Sequence, residues 1–100
     1  MKRADVHSEA EAELLDAMDW YDEKRTGLGN ELMSEVQEAL RKLVNNPAIG
    51  ARYRNGPTRF YRLDRFPYVI YYEEFPDRLW IKAIAHGRRR QGYWSRRKPG

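Results

Sequence analysis

The sequence predicts an α+β fold, with an N-terminal antiparallel helical hairpin packed on one face of a small antiparallel β-sheet. Two observations carry this. Residues 8–45 hold two stretches with apolar residues at helical spacing, parted by a glycine break. Residues 59–86 then change to three short runs rich in aromatic and β-branched residues, the composition of strands. Helices first and strands after give segregated layers around one core.

Each element has its own warrant. Residues 2–7 offer only a short candidate for a leading strand. Ser8-Glu-Ala-Glu11 has the Ser-x-x-Glu form of a capping box and predicts a helix start. Ala10, Leu14, Ala17, Met18 and Tyr21 then mark one face of a helix running to about residue 25. Thr26-Gly-Leu-Gly29 breaks it. Leu28, Leu32, Val36, Ala39, Leu40 and Leu43 mark a second helix, which Asn45-Asn-Pro47 ends. So short a break predicts antiparallel packing. Residues 47–58, with Pro47, Gly50, Gly56 and Pro57, read as a loop. Arg59–Asp64, Tyr68–Glu74 and Leu79–His86 read as strands, with Phe75-Pro-Asp-Arg78 a turn. Short links predict an antiparallel meander. Residues 1–97 form one domain on this reading, and 98–100 a flexible tail. The chain after Trp94 is polar and is expected to be disordered when unbound.

A chain of 100 residues fits one domain that buries only about 60–65% of the surface its unfolded form exposes. The absence of cysteine excludes disulfides and thiolate metal sites and fits a reducing compartment. The N-terminus lacks the apolar core of a signal peptide, and the longest apolar run, Tyr68–Tyr72, falls far short of the roughly 20 residues of a membrane span. A cytoplasmic protein with no membrane partner is expected. Charge divides sharply. Residues 1–51 carry 6 Lys and Arg against 11 Asp and Glu, a net −5, while residues 52–100 carry 13 against 4, a net +9. The second half suits an anionic partner, either nucleic acid or an acidic protein segment.

Few residue sets could carry chemistry. His7 and His86 have no ligand spacing, so neither a metal nor a cofactor is expected. Glu9, Glu11, Glu13, Asp16 and Asp19 read as a solvated helix face. Gly27-Leu-Gly29 lacks the Lys-Ser/Thr of a phosphate-binding loop. In Phe66-Pro-Tyr68-Val-Ile-Tyr71-Tyr72, alternation puts Tyr68, Ile70 and Tyr72 on one sheet face and Val69, Tyr71 and Glu73 on the other, mostly as core. There remain Arg59, Arg62, Arg88, Arg89, Arg90, Tyr93, Trp94, Arg96 and Arg97. The plain reading of this set is a solvated basic surface. The functional one is anion or RNA binding, with arginine forks on phosphate and Tyr93 or Trp94 stacking a base. Metal-free RNA cleavage would need arginine to stabilise charge at phosphorus and Tyr93 or His86 as proton acceptor, because arginine is too basic to serve. His86, at a strand end, reads as mainly structural.

The order of these parts resembles the RelE/ParE toxins of bacterial type II toxin–antitoxin systems, also called plasmid stabilisation proteins. The resemblance spans about residues 5–97. It rests on the Gly-Leu-Gly hairpin, Asn46-Pro47, Arg59, the strand Arg65-Phe-Pro-Tyr-Val-Ile-Tyr-Tyr72, and the ending Ala83-Ile-Ala-His86-x-Arg88-Arg89-x-x-Gly92-Tyr93-Trp94. It implies growth arrest by the free protein and a cognate antitoxin laying an acidic or amphipathic segment over the basic surface. RelE-like members cut messenger RNA in the ribosomal A site, whereas ParE-like members inhibit DNA gyrase. The first reading here is ribosome-associated mRNA cleavage, with Arg62, Arg89 and Tyr93 catalytic and Arg59, Arg88, Arg90, Trp94, Arg96 and Arg97 binding RNA. The alternatives are gyrase inhibition and a non-toxic member that only binds its antitoxin. The chain departs from the RNA-cleaving pattern at two places. Val69 stands where those enzymes carry an arginine, and no basic residue lies near Phe60 unless Arg59 serves.

Overall fold

The computed structural model describes residues 2–99. Met1 lies outside them, as does Gly100, the last residue of the expected flexible tail. The elements run β1 (Arg3–Val6), α1 (Ser8–Lys24), α2 (Leu28–Asn45), a 3-10 turn (Pro47–Ile49), β2 (Ala51–Arg52), β3 (Arg59–Arg62), β4 (Tyr68–Glu74) and β5 (Arg78–His86). The strands form one sheet in the order β1-β5-β4-β3-β2. The expected meander is β3, β4 and β5, antiparallel throughout. The sheet as a whole is mixed, not purely antiparallel, because β1 joins β5 in parallel, Arg3 beside Arg78 through Val6 beside Ile81. The hairpin between them provides the crossover that a parallel pair requires.

α1 begins one residue earlier than the capping box implied. His7 is the cap, its ring Nδ1 accepting from the Glu9 amide at 3.1 Å, and Ser8 is already helical. α2 has no capping side chain of its own at Gly27. Asp22 of α1 supplies one, accepting from the Gly29 amide at 2.8 Å. A negative carboxylate at a helix start is doubly favoured, as acceptor and against the helix dipole. Gly29 permits the approach, since a Cβ there would stand 2.5 Å from the Met18 carbonyl oxygen.

The helices bury Ala10, Leu14, Ala17, Leu32, Val36, Ala39 and Leu43 against Ile70, Tyr72, Leu79, Ile81 and Ile84 of the sheet. Tyr72 is wholly buried, and its hydroxyl donates to the Pro47 carbonyl at 2.6 Å while accepting from the Gly50 amide at 2.9 Å. It thus bolts the 3-10 turn to the sheet. On α2, Glu35 accepts from the Asp64 and Arg65 amides at 2.7 and 3.1 Å and holds the β3–β4 turn.

The other sheet face carries a second cluster of Val69, Tyr71, Ala83, Ala85 and Trp94, with Tyr53, Phe60 and Tyr93 packed against it. A one-residue bulge sets its shape. Tyr71 pairs with Ala83 but Tyr72 with Ile81, which leaves Lys82 as the extra residue. Lys82 is only 5% exposed. Its ammonium donates to Glu73 at 2.7 Å and Thr58 at 3.2 Å, and lies over the Trp94 ring at 4.8 Å. Among the described residues no helix is long and apolar enough to cross a membrane.

Candidate functional site

The chain turns sharply after β5. The Gly87 amide donates to the Pro67 carbonyl at 2.7 Å, and the Arg88 amide to His86 Nδ1 at 3.0 Å. Through this bond the His86 ring orders the turn. Gly92, at φ +86°, reverses the segment and lets Trp94 drop onto the sheet. The indole lies 4.7 Å from Tyr71 and 5.0 Å from Tyr53, centroid to centroid, and is 2% exposed. This corrects two expectations. Trp94 is a core residue with no free face for a base, and the chain beyond it is held as far as Arg97.

Arg97 is held by Glu13, for a reason that lies in the sheet. β1 covers β5 only from Arg78 to Ile81, so the rest of that edge would be open. Open edges invite foreign strands. Here side chains close it. The Ile84 amide donates to Glu13 Oε1 at 3.1 Å, and the Arg97 guanidinium donates to the Lys82 carbonyl at 2.8 Å. Arg97 also donates to both carboxylate oxygens of Glu13, at 3.1 and 2.9 Å, a charge-assisted fork. The Tyr93 hydroxyl donates to Glu13 as well. The Arg89 guanidinium stacks 3.9 Å above the Tyr93 ring and stands 3.9 Å from Glu13. Burial and, next, this bond to Glu13 push the Tyr93 hydroxyl well above the ordinary tyrosine range, although Arg89 and Arg97 pull the other way. Burial works against the Arg97 charge, but Glu13 outweighs it and the pKa rises.

The residues singled out in the sequence therefore divide. Arg89, Tyr93 and Arg97 meet around Glu13. Arg62 does not join them. It lies on β3 in the cross-strand row Arg62–Val69–Ala85, about 10 Å from β5 by strand spacing, with its guanidinium 5.6 Å from the Phe60 ring. Arg59 donates to the Gly50 carbonyl at 2.7 Å and braces the loop. Arg88, Arg90 and Arg96 are exposed. Glu13 was read as one of a solvated row, yet it lies three residues from Ala10 and four from Ala17, inside the buried stripe of α1. That placement was its signal in the sequence. Arg54 also escaped notice, and it sits at φ +51° in the turn between β2 and β3. Among the described residues no group of three His, Asp or Glu side chains is placed to hold a metal.

On the helix side of the β5 edge, a groove of about 540 Å³ runs between α1 and the sheet, lined in part by Trp20, Tyr21, Tyr68, His86 and Arg89. Trp20 is 53% exposed, and Leu15 on the same helix 48%.

The chain thus builds a hairpin crossing over a five-stranded mixed sheet, with a C-terminal segment folded onto the far face. A solved structure described as the chromosomal ParDE TA system from P. aeruginosa matches it with a TM-score of 0.74 at 18% identity, over 86% of this chain and 95% of that one. The family model for the ParE toxin of the type II toxin–antitoxin system, parDE, matches residues 5–91, and the chain belongs to that family. No curated protein matches it in sequence.

Proposed function

We propose that this toxin arrests growth by binding and inhibiting DNA gyrase, and that a cognate antitoxin neutralises it. The observation that carries the choice of gyrase over RNA cleavage is the state of Tyr93. A general base must give up its proton near neutral pH, whereas this hydroxyl donates to Glu13 and holds its proton far into alkali. His86 Nδ1 is taken up by the Arg88 amide at the turn after β5. Val69, where the RNA-cleaving relatives carry arginine, is buried. The exposed Trp20 beside the α1 groove is the side-chain type that anchors protein interfaces. It suits an amphipathic antitoxin segment whose acidic residues reach Arg89 at the groove's end.

The experiment adds antitoxin-free protein separately to a gyrase supercoiling reaction and to ribosomes programmed with messenger RNA. Blocked supercoiling with intact messenger is expected, and Tyr93→Phe should block it equally well. Messenger cleavage that Tyr93→Phe abolishes would return the RNA reading. No effect in either assay, with no growth arrest on induction, would leave a protein that only binds its antitoxin.

A further inference from the structure

We infer that the sheet face opposite the helices binds the phosphate backbone of duplex DNA through Arg54, Arg62, Arg90 and Arg96, which ring its buried aromatic cluster. The four are placed by that cluster. The Arg54 guanidinium lies 5.3 Å from the Tyr53 ring, and that of Arg62 lies 5.6 Å from Phe60. Tyr53 packs on Trp94, and its hydroxyl approaches Gly92, where a Cβ would stand 3.5 Å away. Beside Gly92, Arg90 and Arg96 line a pocket of about 250 Å³ together with Ser95. All four arginines are exposed, and among the described residues none is paired with a carboxylate.

A second, independent observation is backbone strain. Arg54 and Asn55 hold φ +51° and +60° in a tight turn closed by the Gly56 amide on the Tyr53 carbonyl at 3.0 Å. Glycine and asparagine fill such positions with least cost. An arginine kept there against its own preference indicates a use for the side chain.

The chemistry of the face chooses among polyanions. Protein interfaces rest on buried apolar and aromatic anchors. This face offers no fully exposed one: Tyr71 and Trp94 are 6% and 2% exposed, Tyr53, Phe60 and Tyr93 are half-buried, and the large exposed apolar side chains are Leu15, Trp20 and Ile49. Single strands need free ring faces on which bases stack, whereas Tyr71 and Trp94 are buried, and Tyr53 and Phe60 are half-buried with an arginine beside each ring. A positive face with arginine forks and no fully exposed ring suits duplex phosphate. The inference goes beyond gyrase binding and does not need it, although a toxin docked on an enzyme that holds duplex DNA would bring this face within reach of that DNA.

The test is fluorescence anisotropy with the whole chain and a labelled duplex of about 20 base pairs, longer than the one turn of DNA that the protein's 39 Å length spans. Binding is expected at about 50 mM salt, with log K falling against log salt at a slope of about −3 to −4 for four phosphates. Arg54→Ala, Arg62→Ala, Arg90→Ala and Arg96→Ala combined should weaken it at least about tenfold and flatten the slope by about 3. If that variant does not fold, the pairs R54A/R62A and R90A/R96A are read instead. A control lacking Arg25, Arg41, Lys42 and Arg65 removes equal charge from other surfaces and should bind within about twofold of the parent. The inference is overturned by no duplex binding, by equal losses in the control, by tighter binding of the single strand, or by displacement with a poly-glutamate peptide at equal charge. Supercoiling inhibition without DNA binding would sink this inference alone, and DNA binding without inhibition would sink only the gyrase reading.

Discussion

Replacing Glu13 with alanine would strand three donors at once: the Tyr93 hydroxyl, the Arg97 guanidinium and the Ile84 amide. The side chains of Glu13 and Arg97 are 14% and 10% exposed, so solvent recovers little of the loss. Breaking a buried ion pair by removing one partner costs about 3–5 kcal/mol. Arg97 keeps the exposed Glu9 carboxylate at 3.6 Å and the Lys82 carbonyl, so urea unfolding should show a loss near the low end, about 3 kcal/mol. Glu13→Gln keeps one acceptor but also removes the countercharge of Arg97, so it should recover only part of the loss. Tyr93→Phe removes one hydrogen bond and should cost about 1 kcal/mol. A Tyr93→Phe loss as large as that of Glu13→Ala would mean that the hydroxyl, not the ion pair, holds the segment. Sequence alone could place Glu13 on the inner stripe of α1 but could not supply its partner. Arg97 is 84 residues away, and only the fold brings the two together.

The elements that sequence located well are those whose periodicity is strong and whose partners are close in the chain. α1, α2 and β4 fall close to their predicted bounds, because 3.6- and 2-residue repeats of apolar side chains leave little choice. β1 was barely legible. It has four residues, and its pairing with β5 joins positions 75 apart. The bulge at Lys82 was not legible either, since it is a property of two strands in register and not of one. The hairpin break was legible as a break, but the reason for its second glycine was not. That reason is testable. In Gly29→Ala the new Cβ would meet backbone of α1 at 2.5 Å and the Asp22 carboxylate at 2.9 Å. The helices must part, and overpacking of this kind costs about 1–3 kcal/mol. Calorimetry should show a lower melting temperature, and Gly27→Asn, at the positive-φ position with open space around it, should be far milder. Equal losses at the two sites would mean that flexibility, and not close approach, is what the break requires.

Across the whole molecule, the acidic and basic halves that composition separates are folded against each other. Glu13 and Glu9 meet Arg97, Glu31 meets Arg65, and Asp5 meets Arg78. Part of the positive field read from the second half is thus offset internally, and four of the arginines left without a carboxylate, Arg54, Arg62, Arg90 and Arg96, lie around the far sheet face. The same compact folding buries hydroxyls. Tyr21, Tyr68, Tyr71, Tyr72 and Tyr93 are all raised above the ordinary tyrosine value, in every case first by burial. The unfolded chain releases these protons near pH 10, while the folded chain keeps them longer. A group whose folded pKa is raised contributes its stability below the unfolded value and loses it as pH climbs toward the folded one. Stability should therefore be flat in this respect up to about pH 10 and fall steeply above it, five groups acting together. Urea midpoints measured from pH 8 upward should show the fall, with tyrosinate absorbance rising in step with loss of helix. Tyr93→Phe, which removes a group that burial and Glu13 both restrain, should make the fall shallower. Absorbance that rises well before the helical signal is lost would mean that these hydroxyls ionise in place and that their burial does not link alkali to unfolding.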